Sequence, residues 1–86
     1  MQIDIDPHTL ERALERGATF AEIAQVVESG APAEARGDRV ARSLVFPFDG
    51  ERNGRHYAEK RVKVIYVVEA QRVVTVTVLV YYGKWD

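Results

Sequence analysis

The order of sequence patterns in this 86-residue chain predicts an α+β domain: a two-helix hairpin packed on one face of a three- to four-stranded antiparallel sheet. Three observations lead there. Two adjoining segments near the start carry helix punctuation at both ends, and three later segments are rich in valine, threonine and tyrosine at period two. Only short connections separate them. The length and a 47% hydrophobic content suit one core, so residues 1–86 read as a single domain, with the helical hairpin at 7–30 and the sheet at 38–83.

"QIDI" adds a minor strand at the start. In "DPHTLERALERG", Asp6 can cap a helix, Pro7 fits its first position and Gly17 suits the left-handed residue past its end, which predicts a helix over 8–16. "TFAEIAQVVESG" opens with Thr19 and Glu22 in capping-box spacing and runs Phe20, Ile23, Ala24 and Val27 down one face, predicting a second helix over 20–29. With only Gly17 and Ala18 between them, the two helices form a tight hairpin. "APAEARGDR" reads as a connection, "RVARSLVF" as a strand with an exposed edge over 39–46, and "PFDGERNG" as a loop. Arg55 to Glu69 and Arg72 to Tyr82 make the next two strands, joined around Ala70 and Gln71. The order is ααβββ with a short β in front.

A turn with an even number of residues sets Glu69 opposite Arg72 and sorts the last two strands into faces. One face carries Arg61, Lys63, Ile65 and Val67 with Val74, Val76, Val78 and Val80, and its valines make it the expected floor for the helices. The other carries Lys60, Val62, Val64, Tyr66 and Val68 with Val73, Thr75, Thr77, Leu79 and Tyr81. There Tyr66 meets Thr75, Val64 meets Thr77, and Lys60 comes near Tyr81, so hydroxyls, phenols and an amine share one wall. The same wall also reads as a half-wet sheet surface, because threonine and tyrosine are good strand formers.

Charge is nearly balanced, with thirteen acids against twelve bases, but unevenly placed. Residues 1–35 hold seven acids and two arginines, whereas residues 36–63 hold eight bases and four acids, a local surplus that can meet an anion or serve as solvated surface. With no cysteine there is neither a disulfide framework nor a thiolate metal site, and the expected compartment is the cytosol. No apolar run nears the roughly 18 residues that span a bilayer, so no membrane role is expected. His8 and His56 lie far apart without paired ligand spacing, and no glycine-rich phosphate loop or nucleophile elbow is present, so neither a metal nor a cofactor is expected. In the first helix His8, Arg12 and Arg16 recur every four residues opposite Leu10, Ala13 and Leu14. That row suits a phosphate; equally, with Glu11 and Glu15 beside it, it is an ordinary solvent-facing stripe.

The spacing H-x3-R-x3-R-G in "HTLERALERG", then "YAEKRVKVIYVVE" and "TVTVLVYYGKW", covers most of the chain. It resembles small bacterial proteins of a domain family of unknown function similar to BrnT- and RelE-type toxins, in the wider barnase, colicin and RelE ribonuclease superfamily. The resemblance implies two helices against an antiparallel, RelE-like sheet. It also implies a toxin-like, metal-independent ribonuclease or an inactive descendant of one, with RNA and a cognate antitoxin as partners. Carried over by position, the matches are His8, Arg12, Arg16, Lys60 and Thr77, with Tyr66 and Tyr81 adjoining by register. His8 is then the base for a 2′-hydroxyl; Lys60, Arg12, Arg16 and Arg61 hold the phosphate; Thr77 and Tyr66 position it. The slightly acidic chain, with pI about 6.1, departs from the strongly basic composition of ribosome-dependent toxins. A second function class stays open: a non-catalytic interaction module, most simply a homodimer pairing through an edge strand.

Overall fold

In a computed structural model, which describes residues 2–85, the chain is α+β with two helices and one five-stranded mixed sheet. Strand β1 (Gln2–Asp4) precedes α1 (Pro7–Arg16) and α2 (Phe20–Ser29); β2 (Ala31–Ala33), β3 (Val40–Arg52), β4 (Arg55–Glu69) and β5 (Arg72–Gly83) follow. The spatial order is β1-β5-β4-β3-β2.

Both helices begin and end where their punctuation places them. The Asp6 carboxylate accepts from the Thr9 backbone N–H at 2.9 Å, Pro7 opens α1, and Gly17 closes it at φ 101°, a conformation open to a residue without a Cβ. In α2 the box is complete: Glu22 N–H donates to Thr19 Oγ1 at 3.1 Å, and Thr19 N–H donates to the Glu22 carboxylate at 2.9 Å.

The sheet departs from expectation in four ways. β1 joins it parallel to β5, pairing Ile3 with Val73, which makes the sheet mixed. The segment expected as a plain connection forms β2, whose pairing with residues 41–43 covers part of the strand expected to be an open edge over 39–46. "PFDGERNG" is not a loop: β3 runs on to Arg52 through a bulge between Pro47 and Gly50, with Asp49 at φ 46°, and turns at Asn53-Gly54. The fourth departure is a one-residue bulge in β5. Glu69 does oppose Arg72 and Tyr66 does oppose Thr75, but Ile65 then opposes Thr77, leaving Val76 as the extra residue. Past it Val64 meets Val78, not Thr77, and Lys60 meets Tyr82, not Tyr81.

The helices therefore lie on the other face from the one expected. They cover Val62, Val64 and Tyr66 of β4 with Val73 and Val78 of β5, joined by Ala13, Ala18, Ile23 and Val26, and Phe46, Leu44 and Val80 pack around that cluster. Arg61, Lys63, Ile65 and Val67 face away. Two cations in mid-strand have no partners under a helix layer, whereas Lys60, near the end of the sheet, can bury its stem and reach oxygen with its amine. The bulge lets β5 follow, turning Val73 and Thr75 inward before it and Val78 and Val80 after it. Val74 and Val76, expected on the floor, stay outside the core cluster.

Candidate functional site

Lys60 stands where the hairpin meets the sheet. It is 9% exposed, and its Nζ donates to the Gly17 carbonyl at 2.6 Å and to the Glu22 carboxylate at 3.0 Å. Neighbouring donors take the preceding carbonyls: Tyr82 Oη donates to the Arg16 carbonyl at 2.6 Å and Arg52 to that of Glu15 at 2.5 Å. The C-terminus of α1 thus has its last carbonyls satisfied by three side chains from three strands. Burial acts to raise the Glu22 carboxyl, but the Thr19 backbone N–H and then Lys60 outweigh it and hold that carboxyl below the ordinary glutamate range. Lys60 is an anchor, withdrawn from any substrate. Tyr66 is likewise in the core, 5% exposed beneath the helices, and Arg61 lies on the opposite face with Nε and Nη2 donating to Ser43 Oγ at 3.2 and 3.1 Å.

His8, Arg12, Arg16 and Thr77 do come together. They line a cleft of about 220 Å³ between α1 and the edge of β5, completed by Thr9, Val76 and Val78. The cleft exists because β1 pairs only with residues 72–74 of β5, leaving the strand's outer edge beyond the bulge facing α1. Arg16 Nη1 donates to the Val78 carbonyl on that edge at 2.8 Å, tying helix to strand. His8 and Arg12 are exposed, and among the described residues their side chains make no hydrogen bond or ion pair. Glu11 and Glu15 border the other side of the arginine row. An exposed imidazole, an exposed guanidinium, a tethered one and a hydroxyl can together accept a proton and bind an anion.

The helical spacing found three members of this group, but sequence reasoning missed the bulge that widens the strand edge beside them. Its weak signal is the run "VVTVTVLV", whose alternation breaks at Val73-Val74 and carries valine on either face. No group of histidine and carboxylate side chains among the described residues is arranged to hold a metal ion. Among the described residues no helix is long and apolar enough to cross a membrane. No family model, curated protein or solved structure matches the chain.

Proposed function

We propose that the chain is a toxin-like ribonuclease that cleaves single-stranded RNA without a metal in the His8–Arg12–Arg16–Thr77 cleft. The observation that carries this reading is the convergence of His8 and Arg12 of α1, whose side chains make no hydrogen bond or ion pair among the described residues, on one cleft with Arg16 and Thr77. His8 takes the proton from a 2′-hydroxyl, whose oxygen attacks the adjacent phosphorus to form a 2′,3′-cyclic phosphate as the bond to the 5′-oxygen breaks, and the leaving 5′-oxygen takes a proton from water. Arg12 stabilises the negative charge that grows on the phosphoryl oxygens, and Thr77 orients the phosphate. Compared with the site expected from sequence, Lys60 and Tyr66 leave it and serve the fold.

The test is cleavage of a single-stranded RNA by the purified chain in chelator. His8→Ala and Arg12→Ala are each expected to lower the rate at least a hundredfold with far-UV circular dichroism unchanged. No cleavage by the parent chain, or full cleavage by either variant, contradicts the reading. One observation favours the second reading, an interaction module: β2 covers β3 only at residues 41–43, and among the described residues no other strand pairs with the remaining outer edge of β3. Self-association through that edge predicts a dimer by sedimentation equilibrium that Val45→Pro abolishes.

A further inference from the structure

We propose that the helix-free face of the sheet binds single-stranded nucleic acid, with Tyr81 and Trp85 stacking on bases and Arg61, Lys63, Arg36 and Arg39 holding phosphates. This surface is separate from the cleft. It shares with the preceding reading only the class of polymer, and it stands or falls without any cleavage.

Two concavities meet on this face. Arg61, Lys63, Tyr81, Tyr82 and Trp85 border one, and Arg36, Arg39, Lys63 and Ile65 border the other, so Lys63 belongs to both and joins them into one track. The aromatic end is held in place. Trp85 N–H donates to the Glu59 carboxylate at 2.7 Å, and the indole lies against Gly83, 3.5 Å from where a Cβ would stand. Trp85 is nevertheless 38% exposed and Tyr81 47%, a large aromatic area left in water on a small domain.

The charges are sorted to match. Arg36, Arg39 and Lys63 make no ion pair among the described residues, and Ser43 fixes the Arg61 guanidinium without neutralising it. Of the carboxylates nearby, Glu34 borders the track, Asp38 is exposed in the turn between Arg36 and Arg39, and Glu59 is engaged by the Trp85 backbone. Glu11, Glu15 and Glu28 are exposed on the helices, behind the sheet. A chain of net charge −1 therefore turns a basic face toward a polyanion. Arg61 and Lys63, two residues apart on one strand, stand about 6.8 Å from each other, so they meet successive groups along an extended backbone. Stacking on exposed rings needs unpaired bases, which selects a single strand over a duplex. A second copy of the chain would bring the same cations against themselves across a two-fold axis.

Trp85 is the only tryptophan, so its fluorescence reports the site directly. The full chain is titrated with oligodeoxythymidylate, which lacks the 2′-hydroxyl and so separates binding from the cleavage proposed above. Quenching is expected, with affinity falling in salt at a log–log slope of about −2.8 for four phosphate contacts. The double variant Arg61→Gln/Lys63→Gln should bind at least tenfold more weakly with a slope near −1.4, about half the parent value. Tyr81→Ser should weaken binding and keep the parent slope, while Arg55→Gln, at the distant hairpin, should bind within twofold of the parent. Absence of quenching overturns the proposal. So does equal binding of a duplex or of inorganic polyphosphate, or parent-like binding by the folded double variant.

Discussion

Along β4, the even-numbered side chains Lys60, Val62, Val64 and Tyr66 are buried, while their odd-numbered neighbours Arg61, Lys63, Ile65 and Val67 are only partly covered. Each series contains a lysine, and the two lysines do opposite things. Lys60 is drawn into the junction of hairpin and sheet, where a carbonyl and a carboxylate hold it; Lys63 keeps its charge for solvent or ligand. An offset of one residue in a strand thus decides whether a positive charge supports the fold or faces a partner.

The largest way to break this comparison is to put a charge into the even series. Val64→Asp is expected to cost about 4 kcal/mol or more, because the carboxylate has no partner among Ile23, Val26 and Val78 and the domain is small, so the chain should be unfolded by circular dichroism. Ile65→Asp, one step away, should leave it folded. Next is Gly17→Ala. The added Cβ falls on the Tyr82 hydroxyl and the backbone stands at φ 101°, so about 2–3 kcal/mol should be lost in urea denaturation, together with the Tyr82–Arg16 hydrogen bond.

Lys60→Ala removes the side-chain donor to the Gly17 carbonyl and leaves the Glu22 carboxylate with only the Thr19 N–H, and should cost about 2 kcal/mol, against less than about 0.5 kcal/mol for Lys63→Ala. The pair also sharpens the pH dependence. The Glu22 carboxyl is lowered in the folded state, so its contribution is present above the unfolded value of about 4.5 and is lost as pH falls through the folded value. Glu22→Gln should flatten stability across that acid window, and Lys60→Ala should flatten it in part. A small effect of opposite sign lies in the β4–β5 turn, where Ala70 and Gln71 both take positive φ, 49° and 67°. Gln71→Gly should stabilise by about 0.5–1 kcal/mol, relief of the left-handed strain exceeding the added chain entropy.

Much of the fold was legible because caps are local chemistry. Asp6, Pro7 and Gly17 bounded α1, Thr19 and Glu22 opened α2, and the two-residue turn set Glu69 against Arg72. What was hidden depends on contacts distant in sequence. Only the broken alternation at Val73-Val74 hints at a bulge at Val76, since valine and threonine suit either side of a strand, and yet that extra residue reverses the inward series of β5. The parallel pairing of β1 and the short β2 need partners 70 and 10 residues away, and such short segments carry no period of their own. In the candidate site, His8, Arg12 and Arg16 followed from helical spacing alone. Lys60 and Tyr66 misled because polarity on a strand was read as exposure, whereas each sits in the core, Lys60 with oxygen partners for its amine.

The division between the two series is tested most directly by acetylating the native chain under limiting reagent and following each lysine by mass spectrometry. Lys63 should react at a rate near that of an unfolded peptide, and Lys60 should react only through opening of the hairpin, at least a hundredfold more slowly and no longer protected in urea. Equal native rates for Lys60 and Lys63, or protection of Lys63 instead, would contradict the assignment of the two faces and the roles built on it.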